Sequence, residues 1–371
     1  MSHPSKPLAC GSIRRRTTAA ATAVSAFVTA LLPMLAILYA PNVRAEDIAL
    51  SETGSTLVYP LFGTWIAAYK TTHPGVQITA AATGSEAGVA QVIASKAQIG
   101  VSDAYLSDAQ VKQNPQLIDV PLAISAQTVN YNVAGLNNVN LKLDGPTLAG
   151  IYTGAIREWD AAAIAALNPG VALPHRPIVA IHRAEGAGDT FIFTQFLSFS
   201  TPSWEDDKGY GTTIAWPTVA GSLAATGNAG MVQMIAATPD SIGYVGVSFS
   251  AGIADAKLGT AALKNGAGEF VLPTKETITT GAAALGPRTP PDERLSLVYA
   301  PASGAYPLVN YEYAVVSTRQ PSPAVAAALR QFLSWAIVPS ETKARYLDAV
   351  HFIPLPPHTW ELSQTQIQSI K

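Results

Sequence analysis

The sequence predicts an α/β protein built as two lobes: mixed, mostly parallel sheets with helices on both faces, and two crossover strands as a hinge. Three observations carry that expectation. Short apolar runs alternate with segments of helical apolar spacing, the order that sets parallel strands side by side under crossover helices. Two long extended stretches, Pro121–Val133 and Pro307–Val316, stand where a chain would leave a first lobe and return to it. Length is the third. Of 371 residues, roughly 326 remain once the N-terminal 45 are set aside, more than a single core usually takes. The expected division is 1–45 as a leader, 46–128 with 305–371 as lobe 1, and 129–304 as lobe 2.

The leader opens with Lys6, Arg14, Arg15 and Arg16, continues uncharged from Thr17 to Val43, and closes on the small-residue site Val43-Arg44-Ala45. This is the layout of a signal peptide and implies a periplasmic protein. The uncharged run is also long enough to span a bilayer, so a retained anchor is the competing expectation; Pro33 and the alanine-rich composition favour cleavage. Twin-arginine export fits poorly, because two threonines follow the arginines where a bulky apolar residue belongs. The only cysteine, Cys10, precedes the apolar run and is in the wrong place for a lipobox, so disulfides and thiol chemistry drop out.

Charge narrows the function. The leader holds five of the 23 basic residues and none of the 25 acidic ones, so the remainder carries a formal −7. Such a chain is a poor partner for nucleic acid or anionic lipid, and any anion must be held by local donors. Charged residues make up only 13%, well under the roughly 25% of ordinary domains, which points to large buried cores.

Ile48–Ser51 reads as a strand, and Leu57–Tyr69 as a helix with Leu57, Leu61, Trp65 and Tyr69 in step. Val76–Ala82 is a second strand, Gly88–Ser95 a helix carrying Val89, Val92 and Ile93, and Gln98–Ser102 a third strand. Ser107 to Gln110 has the form of a capping box opening another helix. In the second lobe, the apolar run ending at His182 reads as a buried strand, and Thr190–Leu197 as the start of a helix. Residues 265–300, rich in Gly, Pro and Thr, are expected to be irregular surface. Pro323–Ile337, with Val325, Leu329, Phe332 and Trp335, is an amphipathic helix, and the chain closes near Phe352–Pro356. No internal repeat, heptad or low-complexity tract is present.

Three strand-to-helix junctions share one design. They are Thr53-Gly54-Ser55-Thr56-Leu57, Thr83-Gly84-Ser85, and Arg183-Ala184-Glu185-Gly186-Ala187-Gly188-Asp189; Ser102-Asp103 ends a fourth strand. Glycine lets amides turn inward, a helix N-terminus adds about half a positive charge, and Arg183 offers a fork of donors. Ligands of open α/β sheets sit beyond the C-terminal ends of the strands, so all four junctions can face one cleft and hold an oxyanion. Taken singly, each piece has a plainer explanation: Ser and Thr before a helix are usually N-caps, and a lone arginine is usually a surface or ion-pair residue.

Across almost all of its length after the leader, the chain resembles the periplasmic phosphate-binding protein of the high-affinity phosphate ABC transporter. The resemblance rests on Gly54–Leu61, Gly84-Ser85, Gly100–Asp103, Arg183–Gly188 and Gly227–Gly230, with framework segments at Ile151–Trp159, Asn168–Gly170, Ile242–Tyr244 and Phe352–Pro356. It implies the two-lobed periplasmic-binding-protein fold, closure by hinge motion over one phosphate ion, and delivery to a transmembrane permease with its ATPase. Position by position, it places the phosphate ligands on Thr56, the Leu57 N–H, Ser85, Asp103, Arg183 and Gly188. The family has a serine where this chain has Ala187, leaving only the Ala187 N–H; at the next ligand position it has threonine or aspartate, here Asp189. One lost charge-assisted hydrogen bond is worth about 1.5–3 kcal/mol, or ten- to a hundredfold in affinity. Asp103 and Asp189 make sense for a protonated anion: phosphate has a proton to donate and sulfate does not. Arg183 balances these carboxylates and holds Asp103 ionised.

Other chemistries find less support. Gly246-Val247-Ser248-Phe249-Ser250 lacks the second glycine of a hydrolase elbow, no Walker A loop occurs, and Gly186–Phe191 misses the last glycine of a dinucleotide fingerprint. His3, His73, His175, His182, His351 and His358 show no metal-ligand spacing; His182, beside Arg183, is expected to be structural. Tyr59, Trp65, Trp216 and Tyr244 are expected to be packing residues, not stacking platforms. The expectation is therefore a monomeric binding protein, not an enzyme, without metal or organic cofactor. Arsenate or a phosphonate is the alternative ligand, and a phosphatase-like hydrolase the alternative activity.

Overall fold

The structure, a computed structural model, describes residues 47–371; the expected leader, its cleavage site and Cys10 lie outside the described residues. The chain begins with β1 (Ile48–Gly54), α1 (Tyr59–Thr72), β2 (Val76–Ala82), α2 (Ser85–Ile93), β3 (Ile99–Ser102), α3 (Asp108–Gln113) and β4 (Leu117–Asn132). It continues through β5 (Lys142–Leu143), α4 (Gly145–Thr153), α5 (Ala162–Leu167), β6 (Val179–Arg183), α6 (Gly188–Ser200), α7 (Pro202–Asp207), β7 (Leu223–Ala225), α8 (Gly227–Ala237) and β8 (Ser241–Gly246). Then come α9 (Ser250–Asp255), β9 (Gly259–Thr260), β10 (Ala262–Lys264), β11 (Phe270–Val271) and α10 (Lys275–Leu285). The last elements are β12 (Val309–Ser317), α11 (Pro323–Ile337), α12 (Glu341–Asp348) and α13 (Pro357–Gln368).

Nine strands form one sheet in the order β2-β1-β3-β12-β4-β8-β6-β7, with β9 added to β4; β11, β10 and β5 form a small second sheet. The order explains the two halves. Leu117–Ala126 of β4 pair with β12, whereas Gln127–Asn132 pair with β8, so one 16-residue strand belongs to both. Within the first half, β1 runs parallel to β2 and β3; within the second, β6 runs parallel to β7 and β8. Antiparallel pairing in this sheet enters with the two long crossover strands, and with β9.

Register sets the parallel strand ends level. Gly54 lies opposite both Ala82 and Val101, and Arg183 lies opposite Ala225. Five chain turns therefore leave the sheet along two short fronts, and helices α1, α2, α6 and α8 start there. Burial holds the frame rigid: every residue of β12 but Ser317 is buried, and β4 is nearly as enclosed, as strands covered on both faces require.

α11 spans the expected residues, with Ser322 accepting the Val325 N–H at 3.2 Å, Pro323 in the first turn, and Leu329, Phe332, Leu333 and Ala336 buried. α3 has the expected capping box. Residues 265–300 correct the sequence reading. They contain β11 and the eleven-residue helix α10, capped by the Thr274–Thr277 box. Three threonines and Gly281 lower its intrinsic propensity, but Ile278 and Ala282 are buried against the main core. Packing outweighs composition there. α2 and α6 also begin earlier than expected, at Ser85 and Gly188, because their first turns carry Gly, Ser and Asp in place of apolar residues.

Candidate functional site

Gly54 sits at φ +145°, and a Cβ there would run into the Val101 carbonyl, so only glycine lets β1 turn this tightly beside β3. The turn delivers Ser55, whose Oγ donates to Asp103 Oδ1 and accepts the Leu57 and Val58 N–H at 3.1 and 3.3 Å. The Leu57 amide is thus held by Ser55. Thr56 points into the second half: its Oγ1 lies 3.2 Å from Arg183 Nη2 and 2.9 Å from Asn228 Nδ2. Gly84, at φ +96°, precedes α2, and the Ser85 hydroxyl accepts the Asp103 N–H at 3.3 Å.

Arg183 ends β6 and is only 3% exposed. Its N–H donates to Tyr244 Oη at 3.0 Å, and its guanidinium spreads over Asp189, Glu185 and Thr56. Asp189, in the first turn of α6, also accepts from Gln127 Nε2 and Asn228 Nδ2, both at 2.8 Å. Gly188 lies against Asp103 so closely that a Cβ would collide with the carboxylate. Ala187 is the N-cap of α6 without a side-chain hydrogen bond, and its own N–H donates to Thr212 O at 2.9 Å.

The sequence-named residues Thr56, Ser85, Asp103, Arg183, Ala187, Gly188 and Asp189 are therefore brought to one buried spot, with Leu57 at its edge. Sequence reasoning did not give roles to Ser55, Glu185, Gln127, Asn228, Tyr244, Asn310 or Glu312. Asn228 had a signal, since it lies in the Gly227–Gly230 segment. His182 is structural in form: it stacks on Trp216 at 4.7 Å and its Nδ1 meets Arg183 O at 2.9 Å. Trp65 and Tyr244 are buried in the core, and Tyr59 is largely exposed.

Four helices start here, and none of their N-cap residues makes a side-chain cap: Val58 for α1, Gly84 for α2, Ala187 for α6 and Thr226 for α8. First-turn amides have no acceptor within their own helix, and the aligned peptide dipoles make these ends positive. Acid groups surround the same spot. Burial, then the charge of Asp189, raises Asp103, against the pull of Glu312, Ser55 and Arg183. Burial works against the charge of Arg183, but Asp189 and Glu185 outweigh it and keep the guanidinium ionised. Burial likewise works to raise Glu185, and contact with Arg183 and the Gly227 N–H more than reverses it. The arrangement offers converging amides, one guanidinium and one carboxylate acceptor: a site for a tetrahedral oxyanion that still carries a proton.

Contacts across the two halves close over this spot. Besides Thr56 with Asn228 and Arg183, Ser248 Oγ donates to Leu57 O at 2.7 Å and Thr213 Oγ1 to Glu86 Oε2 at 2.7 Å. Beside Ser85 lies a cavity of 600 Å³ walled by Tyr105, Phe191 and Tyr210, with Arg294 and Asp108 at its rim. Among the described residues, no group of three or more His, Cys, Asp or Glu is placed to hold a metal ion, and no helix is long and apolar enough to cross a membrane.

The pattern of the PBP superfamily domain matches residues 18–340. The chain is 30% identical over 348 residues to the phosphate-binding protein PstS of Methanocaldococcus jannaschii, covering 89% of this chain and 88% of that one. It is 30% identical over 315 residues to phosphate-binding protein PstS of Xylella fastidiosa, covering 85% and 84%. Among solved structures, a phosphate-binding protein from Stenotrophomonas maltophilia superposes with a TM-score of 0.66 at 20% identity, over 86% of this chain and 94% of that one. A phosphate ABC transporter substrate-binding protein from Clostridium perfringens, solved with bound phosphate, gives 0.59 at 18%, over 83% and 100%. These structural likenesses establish a shared fold: two lobes of the periplasmic-binding-protein type.

Proposed function

Since this chain belongs to the PBP superfamily and, within it, to the phosphate-binding proteins, we propose that it captures inorganic phosphate between its lobes for uptake by an ABC transporter. The observation that carries this reading is the meeting of the starts of four helices, whose N-cap residues supply no side-chain cap, with Arg183 and Thr56 beside the acceptor Asp103. Positive helix ends and the guanidinium attract the ion, and Asp103 accepts the proton that phosphate brings. Sulfate arrives without one and meets an unanswered buried charge.

In this reading the ligands are Thr56, Ser85, Asp103, Arg183, Gly188 and Asp189, with Asn228 and Gln127 orienting Asp189; the Leu57 and Ala187 amides join them only by leaving Ser55 Oγ and Thr212 O, to which they donate in this structure. Lobe 1 is 46–128 with 305–371 and lobe 2 is 129–304, with α10 and the turn after it leaning on lobe 1. β4 and β12 form the hinge, and the bonds from Thr56, Leu57 and Glu86 to the other lobe form as it shuts. The closed shape is what the permease subunits engage. The protein acts as an exported periplasmic monomer and turns over no substrate.

Calorimetry on ligand-stripped protein tests the reading. Phosphate should bind and sulfate should not compete; absence of phosphate heat, or equal binding of the two, ends it. Hydrolysis of an aryl phosphate that disappears in Arg183→Ala would replace the binder with an enzyme. The cavity beside Ser85 favours one second reading, a phosphonate whose carbon substituent lies against Tyr105 and Phe191. Methylphosphonate displacing phosphate at comparable concentration would support it.

A further inference from the structure

Glu312 is the charged side chain of the crossover strand β12 that the binding reading leaves without a role. It is fully buried, and a register shift in the β12–β4 pairing falls immediately after it, where Tyr313 pairs with Pro121. Such a bulge re-aims the side chains next to it. Glu312 Oε1 accepts from Ser125 Oγ of β4, and Oε2 meets no donor among the described residues. Antiparallel pairing of Tyr313 with Ser102 sets Glu312 abreast of Asp103, and two carboxyls placed so can bond each other only with a proton between them.

We infer that Glu312 holds this proton and donates it to Asp103, making Glu312 a positioning residue that keeps Asp103 an ionised acceptor for the ligand's hydroxyl. The inference rests on the phosphate reading and adds to it. Charge balance is the main argument. Asp103, Asp189, Glu185 and Glu312 share this enclosure with one guanidinium, Arg183, and the remaining polar neighbours, Gln127, Asn228 and Asn310, are neutral. The titratable groups bearing on Glu312 are Asp103 at the end of β3 and Asp189 on α6, both acidic. An arriving phosphate adds more negative charge. Four ionised carboxylates around one arginine would leave a large negative excess in the enclosure, and a proton shared by Asp103 and Glu312 lowers it where the two carboxyls face each other. Burial and the charge of Asp103 together push Glu312 well above the ordinary carboxylate range.

Position decides which of the pair keeps the proton. Asp103 Oδ1 already takes the Ser55 hydroxyl, its N–H is held by Ser85, and its carbonyl takes Asn310 Nδ2. Those donors and Arg183 favour the ionised form of Asp103. Glu312 has Ser125 alone. The proton therefore lies on Glu312, and the lone pairs of Asp103 that face the cleft stay open to the ligand.

Three variants of the whole protein, with native protein beside them, test this. Glu312→Leu keeps the bulk and removes the donor, and phosphate binding should weaken at least about tenfold. Glu312→Gln restores a neutral donor and should recover affinity to within about threefold, the rescue expected of an un-ionised acid. The number of protons exchanged per phosphate, from calorimetry in buffers of different ionisation enthalpy, should be the same for native and Glu312→Gln. The infrared C=O absorption of buried un-ionised carboxyls in native protein should lose one component in Glu312→Gln, and that component should persist in Glu52→Gln. Native affinity in Glu312→Leu, a changed proton count in Glu312→Gln, or no band lost with Glu312 overturns the inference. If native protein binds no phosphate, the functional reading fails, while the infrared band still decides where the proton resides.

Discussion

At Asp103 a buried carboxylate stands between the amide end of α2 and the Cα of Gly188, with Ser55 and Ser85 already turned toward it. Replacing it with Asn exchanges an acceptor for a donor at the point where phosphate presents its proton. The phosphate-over-sulfate ratio of Asp103→Asn should fall by about ten- to a hundredfold, mainly through a gain in sulfate binding, and competition calorimetry reads it. An unchanged ratio would remove Asp103 from selectivity. Ala187 offers the complementary test, because it is an N-cap in extended conformation with no side-chain oxygen. Ala187→Ser should tighten phosphate about tenfold. A rise in Tm without that gain would mean that the new hydroxyl caps α6 and never reaches the ion. Residues at the strand-to-helix turns were legible in sequence, since Gly, Ser and a basic residue recur there. Ser125, Gln127 and Glu312 were not, although a polar residue inside a buried apolar strand demands a partner. Asn228 and Tyr244 support Asp189 and Arg183 from α8 and β8, contacts that arise only from the folded register.

Elements were legible where periodicity and capping agree, as in α11 with Ser322 and Pro323, and illegible where tertiary packing decides. α10 is such a case, with a threonine-rich sequence stabilised by the burial of Ile278 and Ala282. The starts of α2 and α6 escaped for a related reason. A first turn built to expose amides has no apolar spacing to show. α2 also carries Glu86, whose backbone N–H donates to Gly186 O at 3.2 Å and whose carboxylate takes Thr213 at 2.7 Å. Both contacts join it to the opposite lobe. Glu86 is exposed, so its side-chain bonds are worth about 0.5–1 kcal/mol at most. Glu86→Ala should therefore speed phosphate release about two- to fivefold and leave the association rate unchanged, because the carboxylate acts only after the lobes meet. Stopped-flow displacement distinguishes this from a loss of the binding site, which would slow association as well.

For the whole molecule, buried acids outside the site make stability depend on pH in a direction opposite to that of a protein rich in ion pairs. Burial raises Glu52 and Glu293 to about 8 and Asp119 to about 7, and all three are almost fully enclosed. Each folded-state value exceeds the unfolded one. Between pH 5 and 7 the native state therefore holds more protons than the unfolded chain, and stability must fall as pH rises, by about 1.4 kcal/mol per unit for each such group. Their contribution is complete below the unfolded carboxylate range and lost as pH climbs through the raised values. Lys343, Glu185, Glu269 and Glu276 run the other way. Burial lowers Lys343, on α12 against Trp335, to about 7, so above that pH the unfolded chain holds a proton that the folded one has lost, and stability from this group grows with alkalinity. Glu185, lowered through Arg183, loses its contribution only in acid. The acids outnumber the lysine, so phosphate-free protein should melt at least about 4 °C lower at pH 8 than at pH 5.5 in scanning calorimetry. Glu52→Gln, which keeps the shape and removes one of the three titrations, should make that decline shallower. A Tm that rises between those pH values would mean that these carboxyls are already ionised in the fold, each with a partner that balances its charge.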